Sequence, residues 1–328
     1  MSEQFTARSW PIAASTLPFA GVTRAGRLQH EADAGEWAAV FDEVAAAGFD
    51  HVDLTDSWLR VGDVAAERYG ELAAAAAEAG VAFGSVSVIR QSVIHAERGA
   101  ENLAYSHRTI EAAAALGIET VSVGLHQELS PAQREALWFW TQPGHQDRPE
   151  DWDLAVARLR ELGDHAAQVG VLLSLEMYED TFLGTGESAV RLVEDIGSEV
   201  VGLNPDIGNL VRLHRPVETW RSLLEATLPY TNYWHVKNYS RTEDPDRGLY
   251  VALPATMESG LIDYRTGLKL AVEYGFQGVI CTEHYGGDGL SVSAANRDYL
   301  RRHALPKRGD YELGRSRVRQ INRSGAAS

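Results

Sequence analysis

The sequence predicts an α/β fold in which eight strand–helix units close into a (β/α)8 barrel. Short runs of β-branched residues alternate with amphipathic stretches rich in Ala and Leu, as in repeated units around a parallel sheet. Several of the helical stretches end in glycine before the next strand, where a left-handed cap is expected. With 328 residues, of which 45% are apolar, the chain has the length of one barrel domain. We expect a TIM barrel over residues 1–304 and a C-terminal tail over residues 305–328.

Eight strands are predicted, over Trp10–Ser15, Phe49–Leu54, Ala82–Val88, Thr120–Val123, Val171–Glu176, Val201–Asn204, Tyr233–Val236 and Gly278–Thr282. Helices are predicted over Val64–Ala79, Asn102–Leu116, Trp152–Val169, Ser188–Ile196, Val217–Ala226 and Tyr264–Tyr274. Two long loops follow strands four and seven, Leu125–Asp151 and Asn238–Asp263. Loops after barrel strands project over the C-terminal face, where barrel active sites are built, so both are predicted lids.

Composition limits the function. A net charge of −16 opposes binding to nucleic acid and to anionic membranes. The single cysteine, Cys281, cannot form an intrachain disulfide, and the N-terminal residues lack the pattern of a signal peptide. No stretch is long and apolar enough to span a bilayer. We expect a soluble cytoplasmic protein with a small-molecule substrate. The basic segment Lys307–Ser328 is predicted to pack across a neighbour or to fray.

Four metal-ligand side chains lie at the ends of the last four predicted strands: Glu176, Asp206, His235 and Glu283. Any one of them alone is most simply an ion-pair or capping residue. Strands five to eight, however, are adjacent in a closed barrel, so the four side chains converge on one volume. Three carboxylates and one imidazole suit Mn²⁺ or Mg²⁺ better than Zn²⁺. The sequence therefore predicts a divalent metal site, with Mn²⁺ as the first choice.

The segments LSLEMY, LNPDIGN, YWHVKN and ICTEHYGG resemble the sugar phosphate isomerase/epimerase family of xylose-isomerase-like barrels. The similarity covers most of residues 10–303, and it implies Glu, Asp, His and Glu as metal ligands in that order. Many members of the family carry His three residues after the Asp ligand, where this chain has Asn209. The endonuclease branch holds three zinc ions, and its additional ligands do not form a full set in this sequence.

A metal-assisted reaction follows from such a site. A divalent ion that binds a carbonyl oxygen and its neighbouring hydroxyl stabilises the enediolate of a keto-sugar. Reprotonation then gives an epimerase or an aldose–ketose isomerase, in which Glu176 and Glu283 would move the proton as well as hold the metal. Expulsion of a substituent one carbon further along gives a lyase. A non-catalytic sugar-binding barrel is a third alternative, but converging carboxylates without a metal would repel one another.

The loop after strand four carries Trp138, Phe139 and Trp140 shortly before His145. Aromatic faces suit a sugar ring or a flat aglycone, and a histidine titrates near neutral pH as a base should. The plainer interpretation is a lid that packs on the barrel rim, with His145 solvated. The loop also resembles the aromatic lid of the larger subunit of bacterial C-glycoside deglycosidases, a branch of the same superfamily.

That second resemblance implies carbon–carbon bond cleavage of 3-oxo-C-glucosides with Mn²⁺, and a hetero-oligomer with a small β-rich second subunit. It implies His145 as the base, so the predicted catalytic residues are His145, Glu176 and Glu283. The predicted substrate contacts are Trp138, Trp140, His126, Asn209 and Lys237. Lys237 has an alternative role, because a lysine near three carboxylates balances their charge. His284 is expected on the opposite face from Glu283.

Overall fold

The computed structural model describes residues 4–321, and it contains a nearly closed barrel of eight parallel strands. The strands are β1 Ile12–Ser15, β2 His51–Thr55, β3 Ala82–Ser87, β4 Thr120–Gly124, β5 Leu172–Glu176, β6 Val201–Asn204, β7 Trp234–Val236, the hairpin strands β8 Asn238–Asp244 and β9 Leu249–Ala255, and β10 Ile280–Thr282. The predicted fold class is confirmed, and β10 is the eighth barrel strand. The barrel strands follow the order β6-β5-β4-β3-β2-β1-β10-β7.

The seam between β6 and β7 is held largely by side chains. Leu203 and Thr231 form a single parallel bridge there. The Asn204 side-chain oxygen accepts a hydrogen bond from the His235 backbone N–H at 2.7 Å, and the Asn232 amide donates to the Leu173 carbonyl at 3.1 Å. Because Asn204 fixes the His235 backbone, the seam also positions one of the predicted metal ligands.

Helices cover the outside of the barrel: α1 Ala34–Ala46, α2 Tyr69–Glu78, α3 Gly99–Ala115, α5 Trp152–Val169, α6 Gly186–Ile196, α8 Trp220–Thr227, α9 Tyr264–Glu273 and α10 Gly289–Tyr299. The short helices α4 Pro131–Glu135 and α7 Gly208–Val211 lie in the connections after β4 and β6. Each of the six predicted helices is present, and α5 has the predicted bounds. Two further helices, α1 and α10, complete the outer layer. In α1 the buried residues Trp37, Phe41 and Val44 are spaced three and four apart, which places them on the face that packs against the barrel.

Both long connections lie at the C-terminal end of the strands, as predicted, but they are more ordered than loops. The first contains α4, whose N-terminus has a capping box between Ser130 and Gln133. The second is the antiparallel hairpin β8–β9. In β9 the side chains of Tyr250 and Ala252 are less exposed than those of their neighbours Leu249 and Val251, which is the alternation expected of a strand.

The tail packs on the opposite end of its own barrel. Backbone N–H groups of Gly314, Arg317 and Arg319 donate to carbonyls in the last turn of α9, in the connection before β7 and in the loop before β6, respectively. The Arg319 side chain also pairs with Glu199. Residues 322–328 lie outside the described part of the chain, so the prediction of fraying is not addressed there. Among the described residues, no helix has the length and apolar character needed to cross a membrane.

Candidate metal centre

The four predicted ligands meet at the C-terminal mouth of the barrel. Glu176 ends β5, Asp206 follows β6, His235 lies within β7, and Glu283 directly follows β10. The His235 Nδ1 atom is 3.9 Å from Oε1 of Glu176, 3.8 Å from Oδ2 of Asp206 and 3.6 Å from Oε2 of Glu283. All four side chains are buried. Ligand atoms at about 2.1 Å from a shared octahedral ion lie roughly 3 to 4 Å apart. The distances from His235 Nδ1 to the three carboxylates therefore suit one ion, and ligand atoms of Glu176, Asp206 and His235 also lie within 4.8 Å of one another.

Three of the four residues keep a polar atom without a hydrogen-bond partner among the residues that the structure describes. Within residues 4–321, His235 Nδ1, Glu176 Oε2 and Asp206 Oδ1 are buried and have no hydrogen-bond partner. Buried polar atoms are nearly always paired, because an unpaired one loses its hydration without compensation. A cation placed among the three would satisfy them together. The oxygen-rich donor set fits a hard ion of the Mg²⁺ or Mn²⁺ type.

The other nitrogen of His235 is held from inside the barrel. Its Nε2 lies 2.9 Å from the Tyr233 hydroxyl and 3.1 Å from Ser87 Oγ. Tyr233, Ser87 and Ser85 all donate to Oδ2 of Asp53, at 2.8, 2.9 and 2.7 Å. Such hydrogen bonds to the outer nitrogen orient a metal-binding imidazole. The arrangement leaves Nδ1 facing the three carboxylates.

Asp53, His235 and Cys281 form a second group with closely spaced ligand atoms. The two groups differ in how well their oxygens are paired. Asp53 accepts from Thr55 as well as from the three hydroxyls named above, so both of its oxygens are paired. Burial also raises the pKa of the Cys281 thiol well above its usual value, which disfavours the thiolate that a metal needs. We interpret this group as the support of His235.

Lys237 lies among the ligands rather than in open space. Its ammonium donates to Asp206 Oδ2 at 2.6 Å and to Glu283 Oε2 at 2.8 Å. Gly208 leaves room for the lysine stem, since a Cβ at that position would lie 2.6 Å from Lys237 Cγ. The DIGN segment thus places a ligand, a gap for Lys237 and Asn209 in four consecutive residues. Lys237 balances the carboxylates, as in the alternative drawn from the sequence.

The ligand carboxyls differ in acidity. Burial raises the pKa of Glu176 to about 7. Burial also acts to raise the pKa of Glu283, but Lys237 and His235 more than offset it, so that pKa is lowered. Burial raises the pKa of Asp206. Because a metal binds the deprotonated forms, occupation of the site near neutral pH releases a proton.

Asn209 is placed as a brace of the ligands. Its amide nitrogen lies 3.2 Å from Glu176 Oε1, 3.1 Å from Asp206 Oδ2 and 3.0 Å from the Met177 carbonyl. Asn209 Oδ1 has no hydrogen-bond partner within the described residues. The amide nitrogen therefore positions two ligands, and the substrate contact predicted for Asn209 from the sequence stays a prediction.

The aromatic lid packs on the barrel rim. Trp140 is buried, stacks on Trp138 at 4.9 Å between ring centres, and meets Tyr239 and Tyr285 edge-on at 5.4 and 5.9 Å. Gly286 lies against Trp138, since a Cβ at Gly286 would be 2.9 Å from that ring. Trp138 and Trp140 do not line the cavity that contains the metal ligands. This packing agrees with the plainer interpretation of the lid.

His145 lies in a neighbouring cavity. Its Nε2 is 2.7 Å from Gln127 Nε2 and 3.2 Å from Asp147 Oδ1. The stacked rings of His126 and Tyr178, 4.4 Å apart, line both this cavity and the metal cavity. Burial lowers the pKa of His145, and it lowers that of His126 well below the usual range. The structure thus brings His126 to the metal centre but leaves His145 outside it.

The comparisons with known proteins agree with this architecture. The model of the family described as Xylose isomerase-like TIM barrel matches residues 41–303. The chain belongs to this family. A xylose isomerase-like TIM barrel protein from Mycobacterium smegmatis, solved in complex with magnesium, is 44% identical over 92% of this chain and 98% of its own, with a TM-score of 0.88. The comparison with curated proteins gave no significant match.

More distant structures share the fold. D-psicose 3-epimerase from Clostridium cellulolyticum H10 is 16% identical over 90% of this chain and 99% of its own, with a TM-score of 0.63. The 3-keto-D-glucoside 4-epimerase YcjR from E. coli is 17% identical over 89% and 97%, with a TM-score of 0.60. At such identities the likeness concerns the fold alone.

Two arginines at the mouth of this xylose isomerase-like barrel were not predicted from the sequence. Arg212 is fully buried under the lid, bonded to both oxygens of Glu179 at 3.0 and 3.1 Å, with Phe139 and Trp140 against its guanidinium. Arg90 lines the metal cavity in the left-handed conformation, with φ of 54°, and its buried Nε has no partner within residues 4–321. The position of Arg90 shortly after strand β3 could have indicated a residue at the mouth of the barrel, because the loops after the strands form that face.

The metal cavity is small in this conformation. Its volume is about 10 Å³, which accommodates about one water or ion. A sugar ring does not fit in that space. Tyr285, against which the aromatic lid packs, also lines the cavity, so substrate entry requires movement of side chains at this rim.

Proposed function

We propose that this protein is a divalent-metal-dependent enzyme that enolises a keto-sugar and returns the proton, as a sugar epimerase or isomerase does. The observation that carries the proposal is a set of four buried ligands, in which one oxygen of each carboxylate lies 3.6 to 3.9 Å from His235 Nδ1. Three of the four residues also keep a buried polar atom without a hydrogen-bond partner in the described part of the chain. Two further findings support it: the relative solved with magnesium and the sugar epimerases that share the fold.

When bound, a divalent cation supplies positive charge for the enediolate that forms beside the ketone. The chain supplies the proton carriers. Glu176 and Glu283 come from β5 and β10, on the two sides of the ligand group, and their pKa values are shifted in opposite directions. Both carboxyls are deprotonated when they hold the cation. Glu283 takes the proton from the carbon next to the ketone, Glu176 carries a proton from water to the other face or to the neighbouring carbon, and the proton on Glu283 then passes to water.

Three further residues prepare this chemistry. Lys237 and Asn209 hold the ligand carboxylates in place. The buried Nε of Arg90 has no hydrogen-bond partner among the described residues, and we assign this arginine to substrate oxygens because a buried unpaired donor requires an acceptor. Its left-handed backbone costs about 1 kcal/mol or more, which is a frequent feature of functional sites.

Cleavage of 3-oxo-C-glucosides with Mn²⁺ is the second candidate, and it would begin with the same enolisation. It requires His145 to act on the substrate, whereas the structure has His126 and Tyr178 lining the boundary between the His145 cavity and the metal. The small second subunit is expected only for this candidate. The C-terminal tail does not support such a subunit, because Arg317 and Arg319 pair with Glu194 and Glu199 of the same barrel. We therefore place epimerisation or isomerisation first.

Hydrogen exchange with solvent tests whether the protein enolises a keto-sugar, whichever product is formed afterwards. Protein loaded with Mn²⁺ or Mg²⁺ is incubated in D2O with ketohexoses and with 3-oxo-glucosides, and deuterium next to the ketone is followed by NMR. We expect exchange, followed by an epimer or isomer, and loss of both in Glu283→Gln. The exposed Glu119 at the opposite end of the barrel provides the control variant Glu119→Gln. Absence of exchange with every keto-sugar refutes the proposal, and release of an aglycone assigns the lyase.

A further inference from the structure

Two histidines face each other on the outer surface between α3 and α5. The Nδ1 atoms of His107 and His165 are 2.8 Å apart. Nε2 of His107 lies 3.0 Å from Oε1 of Glu161, and Nε2 of His165 lies 2.7 Å from Oε1 of Glu111. Within each helix the histidine and the glutamate are four residues apart and share a face. The four side chains form a continuous Glu–His–His–Glu array along a surface cleft of about 650 Å³.

The hydrogen bonds fix where the protons lie. A carboxylate only accepts hydrogen bonds, so Nε2 of each ring carries a proton. A neutral imidazole with its proton on Nε2 has a lone pair on Nδ1. Two neutral rings would therefore direct lone pairs at each other across 2.8 Å, which is repulsive. A positive species, either a proton or a metal ion, is needed between the two Nδ1 atoms.

The other charges around the cleft do not supply this positive species. Arg108 bonds to Asp63 at 2.6 Å, and Arg160 donates to the Ile196 carbonyl at 2.9 Å, so both guanidiniums are engaged away from the rings. The remaining charged residue of the lining is Asp164, which adds negative charge. The two carboxylates behind the rings and Asp164 all favour a cation.

We propose that His107 and His165 bind one transition-metal ion of the Zn²⁺ or Cu²⁺ class through their Nδ1 atoms. In metalloproteins a carboxylate on the outer nitrogen orients the ligating imidazole, and here each ring has one. Imidazole pairs prefer these ions to Mg²⁺ and Mn²⁺, so the site differs in class from the barrel centre. Two metal–nitrogen bonds of about 2.0–2.1 Å at a tetrahedral angle place the nitrogens about 3.3 Å apart. The rings need to separate by about half an ångström, and the open cleft admits water as the remaining ligands.

A zinc titration of the whole protein tests the site, which does not rest on the proposed function. Because Zn²⁺ also competes for the barrel centre, the titration is made in Glu176→Gln as well as in the wild type, and isothermal titration of Glu176→Gln should show about one equivalent of Zn²⁺. Cu²⁺ bound in its place should show two nitrogen ligands by electron paramagnetic resonance. His107→Gln and His165→Gln should lose this equivalent and keep their circular dichroism spectrum. The exposed His303 provides the control variant His303→Gln, which should retain it.

Two more variants separate this site from the barrel. Glu176→Gln should lose the barrel metal and keep the outer Zn²⁺. Glu111→Gln and Glu161→Gln should weaken Zn²⁺ binding by roughly 10- to 100-fold, because the rings lose their orienting carboxylates. Equal Zn²⁺ uptake in the wild type and in His165→Gln overturns the proposal. It is also overturned if Glu176→Gln abolishes the Zn²⁺ uptake, or if no Zn²⁺ binds, in which case a shared proton alone joins the rings.

Discussion

The two nitrogens of His235 face regions that are equally buried but differently paired. On the Nε2 side, Tyr233 and Ser87 connect the ring to Asp53, whose oxygens accept four hydrogen bonds. On the Nδ1 side, three carboxylates approach within 4 Å, and Glu176 and Asp206 each keep one oxygen unpaired. Both regions contain buried acids, so burial of charge does not distinguish them.

The difference between the two regions is hydrogen-bond saturation. A buried carboxylate with a full set of donors is stable as it stands and serves the architecture. Converging carboxylates with unpaired oxygens repel one another until a cation joins them. The region around Asp53 therefore supports the ring, and the region around Glu176 is where a metal and its chemistry are expected.

The largest expected effect on metal content and activity comes from removing a ligand on the Nδ1 side of His235, where polar atoms are unpaired among the described residues. His235→Gln and Glu176→Gln should lower metal content from about one ion per chain to near zero. Deuterium exchange with keto-sugar should fall by roughly 10³- to 10⁴-fold, because both the charge and a proton carrier are lost. Elemental analysis after gel filtration and NMR measure the two quantities. Wild-type metal content in either variant would contradict the assignment of the ligands.

A change on the Nε2 side of His235, where the hydrogen bonds are complete, should weaken metal binding without abolishing it. Tyr233→Phe removes one hydroxyl from His235 Nε2 and from Asp53 and should lower metal affinity by roughly 10- to 100-fold, with full occupancy at higher metal concentration. Competition with a coloured chelator measures the affinity. Ser85→Ala is the matched control, since Ser85 bonds to Asp53 and Tyr233 but not to the ring. Equal affinities in wild type and Tyr233→Phe would show that the two sides are uncoupled.

The sequence was sufficient to predict the residues on the Nδ1 side of His235 but not those on its Nε2 side. Strand ends in a parallel barrel converge, so Glu176, Asp206 and Glu283 were predictable neighbours of the ring from their positions alone. Asp53, Ser85 and Tyr233 lie inside strands or beside them, where short polar residues carry no distinguishing pattern. Their hydrogen bonds join β2, β3 and β7 across the interior of the barrel, and that pairing becomes visible only when the strands are closed.

The lid shows a second limit. Its place over the barrel mouth followed from its position after β4, but the direction of its side chains did not. Trp140 turned towards Tyr239 and Arg212, because a buried guanidinium offers an aromatic ring a favourable contact. The periodicity of apolar residues in a sequence does not predict a contact of this kind. The hairpin β8–β9 was missed for a different reason, since charged residues at its turn made the segment look like an open loop.

Arg90 should affect substrate binding and leave the metal in place. Arg90→Asn removes the guanidinium, and Asn tolerates the left-handed backbone better than Arg. We expect kcat/KM to fall roughly 10- to 100-fold from the loss of a charged hydrogen bond, with unchanged metal affinity. The free energy of unfolding should rise by up to about 1 kcal/mol as backbone strain is relieved. Unchanged kcat/KM would show that the unpaired donor has no substrate partner.

His145 should matter far less than the metal ligands. His145→Ala is expected to change deuterium exchange less than about threefold, whereas a general base contributes roughly 10²- to 10⁴-fold. His126→Ala provides the comparison, because His126 lines the metal cavity and His145 does not. A loss of 10²-fold or more in His145→Ala, with metal content intact, would return the lid histidine to the reaction and favour the lyase.

The smallest effect should be a change in the pH dependence of stability when metal is removed. Burial raises the pKa of Glu176, Asp56 and Asp147 to about 7, so these three groups bind more protons in the metal-free folded state than in the unfolded state above pH 4 or so. Their contribution to stability is therefore present at low pH and is lost as pH rises through 7. Glu176→Gln should reduce the fall in Tm by a few degrees, and Asp147→Asn should do the same through a group remote from the metal.

Saturating Mg²⁺ should reverse the fall in Tm with pH in the wild type, because the ion binds the deprotonated ligands. In Glu176→Gln, Mg²⁺ should leave the pH dependence of Tm unchanged. Scanning calorimetry between pH 5 and 8 measures all of these. If the Tm of the metal-free wild type and that of Glu176→Gln change equally with pH, the carboxylates beside His235 Nδ1 are already satisfied without an ion.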